Sequence, residues 1–132
     1  MINSFTVQTN QHSQLVDITL QIQEVIDQTQ VNEGICVVFI PHTTAAVTIN
    51  ENADPTVKGD ILTKLENLIP WNDNYKHLEG NSAAHLKASL VGSSEQIIIE
   101  NGKLELGTWQ GIYLAEFDGP RTRKVQVKLV GS

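Results

Sequence analysis

A chain of 132 residues has the length of one ordinary domain, and 40% apolar against 18% charged residues excludes a disordered segment. Nine Lys and Arg against 15 Asp and Glu leave a net charge of −6, which argues against a generic nucleic-acid binder, because that function needs a basic field to displace counterions. A lone cysteine, Cys36, excludes an internal disulfide framework and any cysteine-rich zinc site.

The first residues, MINSFTVQTN, have neither the basic start nor the apolar run of a signal peptide. No stretch approaches the roughly 20 apolar residues of a membrane span. The expectation is a soluble, cytoplasmic protein with neither nucleic acid nor membrane as partner.

In chain order, Phe5, Val7 and Thr9 alternate with polar neighbours and predict a strand over 3–9. Ile18, Ile22, Val25 and Ile26 then recur at helical spacing, with Asp17 as candidate N-cap. ICVVFI at 35–40 reads as a buried strand, and TAAVTI at 44–49 as a second one close behind. Asp54-Pro55 predicts a helix start, and the apolar face of Val57, Ile61, Leu62, Leu65 and Leu68 runs until Pro70 stops it. WNDNYKHLEGNS at 71–82 is a long polar loop, a kind of connection that often carries function. A shorter helix over 83–92 ends at Gly92. EQIIIE, Asn101-Gly102 and KLELG form a hairpin signature, and strand-like runs at 108–116 and 123–130 complete the set. About seven strands with two or three helices in mixed order give an α+β domain spanning 1–132.

Three groups of residues suggest chemistry. His42, His77 and His85 lie in polar or turn contexts, and three neutral imidazoles can hold a divalent ion while leaving a position open. Their spacing is too loose to be a motif, and hydrogen-bonded surface or core histidines are the more common explanation. His12, in TNQHSQ, reads as a surface residue. The second group follows His42: Thr43 and Thr44 as anion- or substrate-holding hydroxyls, with Glu51 and Asp54 as acid/base carboxylates. Against this, the threonines suit a turn between strands and Asp54 suits a helix cap. The third group is GTWQG at 107–111, with Thr108, Trp109 and Gln110 able to close over a planar or phosphorylated ligand. Arg121 and Arg123, alternate residues after the turn Asp118-Gly119-Pro120, are either a bidentate phosphate grip or a solvated basic pair. Phosphate-loop, dinucleotide, nucleophile-elbow and HExxH motifs are absent, and Cys36 reads as a buried inert thiol.

PHTTAAVTINENADPTVKGDI (41–61), YKHLEGNSAAHLKASLVG (75–92) and NGKLELGTWQGIYLAEFDGPRTRKV (101–125) resemble the YjbQ-like family, also described as secondary thiamine-phosphate synthase enzymes. The resemblance is near full length. It implies a small α+β two-sheet sandwich that assembles as a homotrimer with sites near subunit contacts. It implies a metal ion, most plausibly Zn2+, at His42, His77 and His85, with Mg2+ as the alternative for a diphosphate substrate. Glu51, Asp54, Gln110, Arg121 and Arg123 would stand near it as acid/base or anion-holding groups. The implied reaction joins hydroxymethylpyrimidine diphosphate to a thiazole phosphate with release of pyrophosphate. Trp109 would stack against the developing pyrimidine-methyl cation. Relatives often carry an acid directly after the histidine matched by His77 and another just before the Ala-His matched by His85; here those places hold Leu78 and, in the run Asn81-Ser82-Ala83-Ala84, no acid. Two alternatives stand beside this expectation: a metal-assisted hydrolase of a phosphoester or amide, and a non-catalytic trimeric module that binds a metal or metabolite.

Overall fold

The computed structural model describes residues 1–131. Eight strands and three helices follow in the order β1 (Ile2–Gln8), β2 (Gln14–Asp17), α1 (Thr19–Thr29), β3 (Gly34–Phe39), β4 (Ala45–Glu51), α2 (Pro55–Leu68), α3 (Ser82–Val91), β5 (Ser94–Glu100), β6 (Lys103–Leu104), β7 (Gln110–Glu116) and β8 (Thr122–Gly131). The strands form two antiparallel sheets, one in the order β1-β8-β3-β5-β6 and the other β2-β7-β4.

The expected α+β two-sheet fold is present. The strand not foreseen is β2, whose QLVD has too few residues for alternation to register and is defined by its pairing with β7. Asp17 is displaced by one position from its expected role. The N-cap of α1 is Ile18, while the Asp17 carboxylate accepts from the Thr19 amide and hydroxyl at 2.9 and 2.6 Å. Asp54 caps α2 as foreseen, accepting from the Thr56 amide at 2.9 Å, with Pro55 opening the helix. The Asn101-Gly102 turn takes positive φ at both residues, as a type I′ hairpin requires.

Packing follows from the period of two along each strand. Cys36, Val38, Val125, Val127, Ile97 and Ile99 face inward from the five-stranded sheet and meet Val47, Ile112 and Leu114 of the other, with Ile22 and Ile26 of α1 closing one side. The opposite face of the small sheet, with Ala46, Tyr113 and Ala115, is covered by Ala84 and Ala88 of α3 and by Ile61, Leu62 and Leu65 of α2. β7 is therefore covered on both faces, which is why Gly111–Glu116 is buried without alternation. The layers are large sheet, small sheet, helices. Burial in this core pushes the Cys36 thiol up to about 12, consistent with an inert side chain.

Candidate functional site

The small sheet has two ends, and they divide the candidate residues. Strands β4 and β7 pair from Ala45 opposite Glu116 to Glu51 opposite Gln110. At about 3.3 Å per residue those ends stand roughly 20 Å apart. His42, Thr43, Thr44, Arg121 and Arg123 belong to the Ala45–Glu116 end. Glu51, Asp54, Thr108, Trp109 and Gln110 belong to the other, so within one chain the structure does not bring these two groups together.

A buried ionic cluster organises the first end. The Glu116 carboxylate accepts from Arg123 Nε at 2.9 and 3.1 Å and also from Arg123 Nη2. Thr9 Oγ1 donates to Oε1 at 2.8 Å, and the Asp118 amide to Oε2 at 3.0 Å. Arg123 Nη2 also donates to Thr44 Oγ1 at 2.8 Å and to its carbonyl at 3.2 Å. Arg123 is only 3% exposed, whereas Arg121 is 51% exposed and pairs with Asp118 at 3.2 Å. The two guanidinium groups are thus not presented together to a ligand. Arg123 and Thr44 tie the loop after β3 to β7 and β8 instead, which is how a buried charge satisfies its bonding.

Above this cluster lies a cavity of about 380 Å³ lined by His42, Thr43, Ala45, His85, Ala88, Ser89, Gly92 and Ser93. The spacing His85, Ala88, Ser89 and Gly92 is one face of a helical repeat, so Ser89 was findable from His85 by counting four residues on. Ser93 had no comparable signal, because its place depends on the turn from α3 into β5. No carboxylate lines the cavity.

His42 is held by an unusual partner. β3 ends at Phe39, opposite Gln126, so β8 runs on beyond it toward Lys124. The Lys124 amide finds the His42 ring, donating to Nε2 at 2.8 Å. Burial and the Arg123 guanidinium hold His42 below the usual imidazole range, with Glu116 and the Lys124 backbone opposing them. The His77 and His85 rings lie 5.5 Å apart and perpendicular. His77 itself belongs to the exposed loop between α2 and α3. Among the described residues, no three His, Cys, Asp or Glu side chains converge as a metal-holding group. As folded, His42 Nε2 is not available to a three-histidine ion, because its lone pair accepts from the Lys124 amide.

At the far end the residues have local partners. The Glu51 carbonyl accepts from the Tyr113 hydroxyl at 3.1 Å, and Gln110 Oε1 accepts from the Gly107 amide at 2.8 Å, closing the 107–110 turn. Hydrogen bonds from Thr56 hold the Asp54 carboxyl below the usual carboxylate range, so its observed contacts are those of a cap. Thr108 and Trp109 are exposed on the turn. His12, expected at the surface, is exposed and lies edge-on to Trp71 with ring centroids 4.3 Å apart.

The fold, two antiparallel sheets with helices over the smaller one, defines a class of small α+β proteins. A family model described as UPF0047 protein YjbQ-like matches residues 3–132, and the chain belongs to that family. It is 56% identical over 131 residues to a UPF0047 protein of Methanocaldococcus jannaschii, covering 99% of this chain and 95% of that one. It is 46% identical over 132 residues to the UPF0047 protein YugU of Bacillus subtilis, covering 99% and 100%. Among solved structures, an uncharacterized conserved protein of the YjbQ/UPF0047 family from Clostridium acetobutylicum superposes with a TM-score of 0.95 at 58% identity, covering 97% of this chain and 99% of that one. A hypothetical protein from Aeropyrum pernix gives 0.95 at 38% identity, covering 100% and 99%.

Proposed function

We propose that the cavity between the loop after β3 and α3 binds a small phosphorylated metabolite, and that the protein is an enzyme of the thiamine-phosphate synthase type. The observation that carries the binding reading is the lining itself. In a chain of net charge −6, this cavity gathers two imidazoles and three hydroxyls without one carboxylate. Its volume lies within the range of small-molecule sites. Arg121 stands on the same edge of the molecule, and its charge acts on His42. Such a set suits a phosphoryl group, whose oxygens accept from hydroxyl, imidazole and guanidinium donors. The reaction itself is carried over from the family resemblance.

In that reaction a carbon–nitrogen bond forms between the pyrimidine-methyl carbon and the thiazole nitrogen. The carbon–oxygen bond to diphosphate breaks, and pyrophosphate leaves with the electron pair. The residues named here would hold the departing diphosphate, the part of the barrier most open to electrostatic stabilisation. Zinc is the cofactor that the resemblance implies, but no step is assigned to it, given the committed lone pair of His42. The homotrimer is likewise proposed, supported by the apolar outer face of the large sheet.

Calorimetric titration with inorganic pyrophosphate tests the site. Binding is expected, with a loss of about tenfold or more in Arg121→Ala, the size of one charge-assisted contact. Equal weakening of an unphosphorylated thiazole or pyrimidine alcohol would assign Arg121 to structure. Pyrophosphate release only when hydroxymethylpyrimidine diphosphate and thiazole phosphate are both present supports the transferase. Release from one substrate alone indicates hydrolysis, and binding without release indicates a binding module.

A further inference from the structure

We infer that His42 is locked as the neutral Nδ1–H tautomer and serves the cavity as a hydrogen-bond donor, outside any metal-ligating set. The inference rests on the phosphate-binding reading only for what the donor meets; the tautomer follows from the backbone. A peptide N–H donates and never accepts. The Lys124 amide lies 2.8 Å from Nε2, so that nitrogen presents its lone pair and carries no proton. A neutral imidazole has one ring proton, which must then sit on Nδ1.

The lock belongs to the fold. Lys124 pairs with Thr6 of β1 on one side of β8, and on the other side β3 has already ended opposite Gln126. That edge amide would otherwise lack a strand partner. The segment that carries the ring is also anchored, because Thr44, two residues on, is buried and held by Arg123. Among the described residues no protein group bonds to His42 Nδ1, and the ring lines the cavity beside Thr43 and His85. Nδ1–H is therefore the ring group left for a ligand oxygen. In that state it can neither take a proton nor donate a lone pair to a metal ion.

Long-range nitrogen–carbon correlation NMR on histidine-labelled protein, with His42 assigned through His42→Gln, reads the tautomer directly. The free protein at pH 7.5 should show His42 as neutral Nδ1–H, and an Nε2–H ring or an imidazolium overturns the inference. One equivalent of zinc chloride should leave the His42 nitrogens unmoved, and a metal-bound shift at either nitrogen overturns it. Inorganic pyrophosphate should shift His42 Nδ1, and binding that leaves it unchanged overturns the donor role. Absence of any pyrophosphate binding overturns the phosphate reading of the cavity, which the tautomer in the free protein decides nothing about. His42→Gln offers an acceptor for the Lys124 amide but no donor at the δ position. It should remain folded with pyrophosphate affinity down about tenfold or more, and full affinity overturns the inference.

Discussion

Two arginines, two residues apart, have opposite environments, and the difference is one of partners rather than of type. Arg123 is enclosed with Glu116 and Thr44, while Arg121 extends into solvent beside Asp118. Removing one member of a buried pair strands the other charge, a loss of about 3–5 kcal/mol. An exposed pair contributes at most about 1 kcal/mol. Arg123→Ala is therefore expected to lower the urea midpoint severely, and Arg121→Ala to leave it nearly unchanged. Comparable midpoints in the two variants would contradict the buried network. Glu66 and Lys87 make a third contrast: Lys87 is 1% exposed on α3 and reaches Glu66 of α2 at 2.5 Å, joining two helices that cover the small sheet.

Among the secondary elements, the meeting of β3 with the end of β8 has least room. Gly34 opens β3 at φ +148° opposite Gly131, and a Cβ there would stand 2.0 Å from the Val130 carbonyl oxygen. Both groups are backbone, so neither can swing away. Gly34→Ala should cost about 1–3 kcal/mol or more, through overpacking added to the strained φ. Thermal unfolding checks this, with Gly59→Ala as the control, since a Cβ at Gly59 meets nothing within 4 Å and Ala favours the interior of α2. A Gly34→Ala protein as stable as the control would show that β3 and β8 separate more easily than their pairing indicates.

For the molecule as a whole, the layering leaves one broad face uncovered. The outer surface of the large sheet carries Ile2, Ile35, Val37, Phe39, Ile98 and Val130, with Ile2 and Ile98 each 59% exposed. Val130, Ile35 and Ile98 are paired in one row across that face, while Lys128 stands between Ile2 and Val37. A patch of this kind is costly to leave in water. Self-association through it is the expected remedy. Light scattering should give the mass of three chains, and Phe39→Lys combined with Ile98→Lys should reduce it to one. A wild-type monomer at high micromolar concentration would set the trimer aside.

Elements with a local cause were legible in the chain. Asp54-Pro55 starts α2 because a carboxylate and a fixed φ act within one turn, and Asn101-Gly102 turns because both residues tolerate positive φ. The α+β class followed from helical spacing, short apolar runs and turn signals, and the α1 core residues Ile22 and Ile26 from the period of 3.6. What sequence spacing could not reveal is which distant groups meet. His42 and His85 share a cavity because α3 packs on β4, and Glu51 and Gln110 stand away from it because β4 is fully extended. The fates of Arg121 and Arg123 were equally hidden, since burial beside Glu116 depends on a strand turn and a pairing register. Local propensity acts through neighbours in the chain, whereas the chemistry of this site is set by contacts that only the folded sheets create.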